Sequence, residues 1–220
     1  MKDYKYILFD FDGTIVDTSP GIINATIYAL DSFGIKVDNP LVSLRRFIGP
    51  PLSYSFNTFY GLQGEDIKKA IAIFRDYYSE KGISQCRVYD GMEDLLKLLK
   101  SSGKKIILAT SKPEVFASKI LENLGLKQYF DFIAGALMDE SRNEKPEVMD
   151  YAIKQYNIDI SEAVMIGDRF YDVQAAATFG IDSIGVLYGF GEEKEFQGSV
   201  AMAKDVKELG RLLTQPYNHI

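Results

Sequence analysis

Asp10 and Asp12 close the apolar run of "YKYILFDFDGTIVDTSP" (Tyr4 to Pro20) one residue apart, and Gly13 and Thr14 follow them directly. Isolated ionised carboxylates at the end of a buried strand are costly unless a cation or hydrogen bonds compensate them, so the pair points to chemistry. In a regular strand residues two apart share a face, which would send both carboxyl groups to one side. Three further segments carry reactive side chains at comparable places. "KKIILAT" ends in Thr110, followed by Ser111 and Lys112; "AVMIGD" ends in Gly167 and Asp168, with Asp172 one helical turn later; "NEKPEV" sets Lys145 just before Pro146. Clustered carboxylates repel one another and raise their own pKa values unless a divalent cation neutralises them. Mg²⁺ suits such a set, because it takes oxygen ligands, keeps waters and binds through one or two carboxylates plus a substrate phosphate. Thr110 and Lys145 would hold phosphate oxygens, and Gly13 would let backbone N–H groups approach closely. A carboxylate attacks a phosphate dianion poorly because like charges repel, so a cation must bridge the two. The outline is a phosphoryl-transfer centre.

These residues need elements that bring distant segments to one edge. From residue 85 onward strand-like and helix-like segments alternate: "MEDLLKLLKSSG" as a helix, "KKIILAT" as a strand, "PEVFASKILENLG" as a helix, "FDFIAGA" as a strand, "PEVMDYAIKQYN" as a helix, "AVMIGD" as a strand, "YDVQAAATFG" as a helix and "DSIGVLYG" as a strand. With the opening strand Tyr6 to Phe9, this predicts an α/β core whose mostly parallel sheet is covered on both faces. In such sheets the binding crevice lies beyond the carboxyl ends of the strands. Residues 16–83 break the alternation. "SPGIINATIYALDSFG" reads as a helix, "EDIKKAIAIFRDYYSEKG" puts Ile67, Ala70, Ile71, Phe74 and Tyr78 on one helical face, and "RRFIGPPLSYSFNTFYG" between them reads as a turn and another helix. The expected organisation is a catalytic core of residues 1–15 and 84–220 with an all-helical domain of residues 16–83 inserted after the first strand, placed to act as a lid.

Bulk properties narrow the partners. The chain has 220 residues, 46% of them hydrophobic and 25% charged, enough for a real core. A net charge of -6 supplies no basic field for nucleic acid or anionic lipid, which favours a small-molecule partner. Cys86 is the single cysteine, which excludes an internal disulfide and a thiolate metal cluster. The N-terminus lacks the pattern of a signal peptide and no run approaches 18 apolar residues, so a cytoplasmic location is expected, with neither secretion nor membrane insertion.

"DFDGTIVD", "ATSK", "EKP" and "GDRFYD" together resemble the four ordered motifs of the haloacid dehalogenase-like phosphatase superfamily, across the whole chain. The helical insert and "VYDGMEDLL" after it are similar to the phosphoglycolate-phosphatase-type branch with its cap domain. The resemblance implies a Rossmann-like three-layer core and an Mg²⁺-dependent phosphomonoesterase. It implies Asp10 as the nucleophile that forms an aspartyl phosphate and Asp12 as the general acid and base. It implies Thr110 and Lys145 holding the transferring group, with Ser111 beside them, and Mg²⁺ on Asp10, the backbone carbonyl of Asp12, and Asp168. Asp172 would orient Lys145 or a metal-bound water.

Plainer readings stand beside these. Asp-Gly is common turn chemistry, Thr110 and Ser111 could cap the helix starting near Pro113, Lys145 could be solvated, and Asp172 could serve a helix dipole. Arg169 reads as having no role in the chemistry, Cys86 as inert packing and His219 as solvated. In the insert, Arg45 and Arg46 are candidates for a substrate's anionic end, although adjacent helical residues do not share a face. Tyr54, Phe56, Phe59 and Tyr60 read as core before substrate platform. A mutase of the superfamily usually carries a histidine shortly after the first motif; "VDTSPGIINA" has none, which favours hydrolysis. The alternatives are a non-enzymatic phospho-aspartate receiver, a phosphomutase or a pyrophosphatase. "GFGEEK" at 189–194 lacks the last glycine of a dinucleotide fingerprint and comes late in the chain. Substrate candidates include phosphoglycolate, nucleoside monophosphates, sugar phosphates and pyrophosphate, with a slight lean to the first two.

Overall fold

The computed structural model describes residues 2–139 and 141–214, so His219 lies outside the described residues. The chain divides into two compact units, Met1–Val16 with Val88–Ile220, and Asp17–Arg87.

The first unit holds β1 (Tyr6–Phe9), α5 (Met92–Ser101), β4 (Lys105–Pro113), α6 (Glu114–Asn123), β5 (Phe132–Ala136), α7 (Lys145–Tyr156), β6 (Ala163–Gly167), α8 (Phe170–Thr178), β7 (Asp182–Val186), β8 (Ala201–Ala203) and α9 (Val206–Thr214). Its sheet has six strands in the order β5-β4-β1-β6-β7-β8, and the paired strands are parallel. Buried on both faces, the strands read as near-continuous apolar runs, and Ile7, Leu8 and Phe9 of β1 are all fully buried. Leu8, Ile107, Ala109, Ala134 and Met165 pack with Val148, Met149 and Ala152 of α7 and Ala175 and Ala176 of α8. Successive strand residues alternate, so Ile7, Phe9, Ile106 and Leu108 fill the other face. The chain leaves β1 for β4 on one side and later for β6 on the other, which makes the carboxyl end of β1 the topological switch point where α/β sheets bind ligands.

Three details differ from the sequence reading. β8 and α9 were not anticipated, because a three-residue strand, "AMA", is too short to display a period. β4 continues past Thr110 to Pro113 through a register shift against β5. β7 stops at Val186, so Leu187, Tyr188 and Gly189 lie in a loop instead of extending the strand.

The second unit is helical: α1 (Ser19–Asp31), α2 (Pro40–Ser43), a short turn of helix at Arg45–Phe47, α3 (Leu52–Tyr60) and α4 (Glu65–Glu80). Ala70, Ile71, Phe74 and Tyr78 form the buried stripe of α4, with the Phe74 and Tyr78 rings stacked at 5.6 Å. Of the insert aromatics Phe56 is buried, while Tyr54 is 52% exposed. The short strands β2 (Val16–Asp17) and β3 (Arg87–Val88) pair where the chain passes between the units.

Candidate active site

Asp10 continues the β1 ladder by one residue, its N–H donating to Ile166 O at 2.9 Å. The backbone then turns: Ile15 and Val16 N–H both donate to Phe11 O, Gly13 N–H donates to Val16 O, and Gly13 adopts φ +84°, the left-handed region glycine tolerates best. Asp10 lies one residue past β1 and Asp12 in the turn that follows, outside the regular strand from which the shared-face expectation was drawn. Their carboxylates go to different ammonium groups. Lys145 Nζ lies 2.6 Å from Asp10 Oδ1, and Lys112 Nζ lies 3.0 and 3.3 Å from the two oxygens of Asp12.

Lys145 opens α7, where Pro146 in the first turn and a reciprocal Glu144–Glu147 capping box fix the helix start. Its ammonium is buried and also reaches Asp172 Oδ1 at 2.8 Å and Ala109 O at 3.1 Å. Burial lowers the pKa of the Lys145 amine, but the charges of Asp10 and Asp172 more than offset it, so the group stays protonated. Asp172, in the first turn of α8, accepts the Arg169 N–H through Oδ2 at 3.1 Å. Burial raises its carboxyl, Lys145 pulls it back, and the outcome is a value pushed up to about 6.

Asp168 follows β6 and is fully buried. Its Oδ2 accepts the Phe190 N–H at 2.7 Å, whereas Oδ1 has no hydrogen-bond partner among the described residues. Backbone closes around it, since a Cβ at Gly13 would fall 2.1 Å from Asp168 Oδ2, and one at Gly189 would fall 2.3 Å from its Cβ. Burial first, and then the charges of Asp10 and Asp172, push this carboxyl well above the usual range. Asp10, Asp168 and Asp172 each offer an oxygen within 4.8 Å of the others. A divalent cation among these oxygens would relieve the burial and mutual repulsion that raise the Asp168 and Asp172 carboxyls. The orphaned Asp168 oxygen and the all-oxygen donor set fit a hard cation such as Mg²⁺.

Thr110 is buried on β4, and its Oγ1 accepts the Lys112 N–H at 3.2 Å; it does not cap α6, whose preceding residue, Pro113, makes no side-chain cap bond. Ser111 is half-buried beside it. Asp10, Asp12, Thr110, Ser111, Lys145, Asp168 and Asp172 thus all belong to the first unit, at the carboxyl ends of β1, β4 and β6 or the first turns of α7 and α8. Arg45 and Arg46 belong to the helical unit and are exposed, with the Arg46 guanidinium 4.3 Å over the Phe59 ring. Arg169 Nε pairs with Glu195 Oε2 at 3.0 Å. Sequence reasoning assigned no task to Lys112, to Glu195 or to the Gly189–Phe190 backbone. The glycine spacing of "GFGEEK" was the available signal for the last, and its use here is to cradle a carboxylate.

The family model of haloacid dehalogenase-like hydrolases matches residues 7–186. A crystal structure of a predicted phosphatase from Clostridium acetobutylicum superposes with a TM-score of 0.92 at 42% identity, covering 96% of this chain and 99% of the other. Among curated proteins, a 5'-nucleotidase of Pseudomonas aeruginosa is 37% identical over 88% of this chain and 87% of its own length. Tyrosine-protein kinase PtkA of Mycobacterium tuberculosis is also 37% identical, over 85% of this chain, which spans 63% of that longer protein. A phosphoglycolate phosphatase of Psychrobacter arcticus is 31% identical over 86% and 85%. The chain therefore belongs to the haloacid dehalogenase-like hydrolases, as an enzyme of their phosphatase branch.

Proposed function

We propose that the protein is an Mg²⁺-dependent phosphomonoesterase that hydrolyses a small phosphorylated metabolite through an aspartyl phosphate on Asp10. The observation that carries this reading is the buried Asp10–Asp168–Asp172 cluster, with one Asp168 oxygen that has no partner among the described residues, beside the Lys145 ammonium. Asp10 and Asp168, with the Asp12 backbone carbonyl, would hold the cation, and what it supplies when bound is screening between the incoming phosphoryl group and the carboxylates. Lys145 and Thr110, with Ser111, hold and neutralise phosphoryl oxygens. An Asp10 oxygen attacks phosphorus, the bond to the leaving oxygen breaks, and Asp12 gives that oxygen its proton. Asp12 then takes a proton from water, which attacks the same phosphorus and frees Asp10 and inorganic phosphate. Asp172 holds Lys145 in position throughout.

The substrate leans to phosphoglycolate or a nucleoside monophosphate, in keeping with the phosphoglycolate phosphatase and 5'-nucleotidase relatives. The helical insert expected over residues 16–83, which lies in the unit Asp17–Arg87, is the cap that would choose it, with one of Arg45 and Arg46 for an anionic end. A cytoplasmic setting suits such a metabolite. The test is phosphate release from a metabolite panel with Mg²⁺, with Asp10→Asn as control. Multiple turnovers by the native chain and none by the variant support the reading; a single stoichiometric phosphorylation without turnover would favour a receiver-type protein.

A further inference from the structure

The Lys112 ammonium has no task in the reaction just described, yet it is 7% exposed and bound to both oxygens of Asp12. Burying an ammonium at that depth is costly unless it is paired, so the site is built and not incidental. Its placement depends on a departure from regular strand geometry. β4 changes register against β5 between Thr110 and Pro113, and within that stretch the Lys112 N–H is held by Thr110 Oγ1. The same hydroxyl thus ties the lysine's backbone next to the residue proposed to hold phosphate. The Lys112 ammonium lies over the ring of Phe11, 5.9 Å from its centroid, and Phe11, which stands between the two aspartates in the sequence, is fully buried.

We infer that Lys112 is a positioning residue which holds the Asp12 carboxyl group on the leaving-group side, apart from the Asp10–Lys145 pair, so that Asp12 can pass its proton to a poor leaving group. The inference rests on the proposed reaction and concerns only the proton-transfer partner. Its consequence is set by the leaving oxygen. An alkoxide must be protonated as the P–O bond breaks, whereas p-nitrophenolate departs without help. A mispositioned Asp12 therefore harms alkyl monophosphates in the first half-reaction, which kcat/KM reports, and spares aryl phosphates there. Asp12 also activates water in the second half-reaction, so kcat falls for both classes.

The experiment compares Lys112→Met with the native chain on p-nitrophenyl phosphate and on a simple alkyl monophosphate, with Mg²⁺. The expected result is a fall in kcat/KM at least about 10-fold larger for the alkyl ester, out of the roughly 100-fold or more that general acid catalysis contributes. A stoichiometric burst of p-nitrophenolate should appear as dephosphorylation becomes limiting, and Lys112→Arg should recover part of the loss. An equal loss on both substrates, or none on either, overturns the inference. Should Lys112→Met prove unstable, the Asp12→Asn background settles the matter: adding Lys112→Gln there must cause no further leaving-group-dependent loss, and an additive loss overturns it. Failure of the native chain to turn over either ester would instead reject the proposed reaction.

Discussion

Lys145 and Asp172 form a buried ion pair, Nζ to Oδ1 at 2.8 Å, and the same ammonium reaches Asp10 at 2.6 Å. One lysine thereby ties the end of β1 to the first turn of α8. Lys145→Met should leave two buried carboxylates without their cation, lowering stability by about 3 to 5 kcal/mol and abolishing turnover. Lys154→Met, which breaks the exposed pair with Asp150, should cost under about 0.5 kcal/mol. Chemical unfolding of both variants in chelator separates them; similar losses would mean that the Lys145 pair contributes no more than a surface one.

The proposed metal dependence rests on the Asp168 oxygen that has no partner among the described residues. Chelation should stop turnover and Mg²⁺ restore it. Mg²⁺ at about 100 times its Kd should stabilise the native chain by about 2.7 kcal/mol. Asp168→Asn should lose that thermal shift. Gly189→Ala should weaken it, because the added methyl would collide with the Asp168 side chain at 2.3 Å. An Mg²⁺ thermal shift of native size in Asp168→Asn would place the cation elsewhere.

Glu195 gives the protein a titratable fastening for the start of α8. Burial alone would raise its carboxyl, but the N–H groups of Glu192 and Phe170 and the Arg169 guanidinium outweigh burial and hold it below the usual range. A depressed folded-state value means that the stabilisation is complete above the unfolded value of about 4.3 and fades as pH falls through the folded one. Glu195→Gln should therefore cost about 1 to 2 kcal/mol near neutral pH, and the gap should close below about pH 4. Urea unfolding at the two pH values checks the sign, and a gap that widens in acid would contradict it.

The proposed role of the helical unit in substrate choice is tested at its two arginines. Arg45→Ala should lower kcat/KM for esters carrying a second anionic group about 5-fold more than for p-nitrophenyl phosphate, a modest electrostatic loss of about 1 kcal/mol. Arg46 already stacks on Phe59 and lies 5.7 Å from the Tyr60 ring, so Arg46→Ala should also loosen that aromatic cluster and lower the melting temperature. Identical substrate ranking in both variants would remove the arginines from selection.

Much of the framework was legible because it rests on short-range regularities. The apolar runs around Leu8, Ile107 and Met165 read as buried strands since both faces of a parallel sheet are covered. Pro146 and the Glu144–Glu147 pair mark the helix that begins at Lys145. β8 escaped notice because three residues carry no period, and the departure of Leu187 and Tyr188 from the sheet escaped because their apolar character is the same in strand and in loop. Tyr188 instead donates its hydroxyl to Thr14 O at 3.0 Å, a contact between segments 174 residues apart.

The amino-acid sequence by itself determined which reactive side chains stand at strand ends and helix starts, because hydrophobic period, proline and turn chemistry act over a few neighbouring residues. Only the tertiary structure decided how the charges pair: Asp10 with Lys145, Asp12 with Lys112, and Asp168 with the backbone of Phe190. Lys112 and Asp12 are 100 residues apart, and their meeting depends on strand order, on the register shift in β4 and on the turn after Asp10. Those are properties of the assembled sheet, since a buried charge takes whichever partner packing delivers within hydrogen-bond reach.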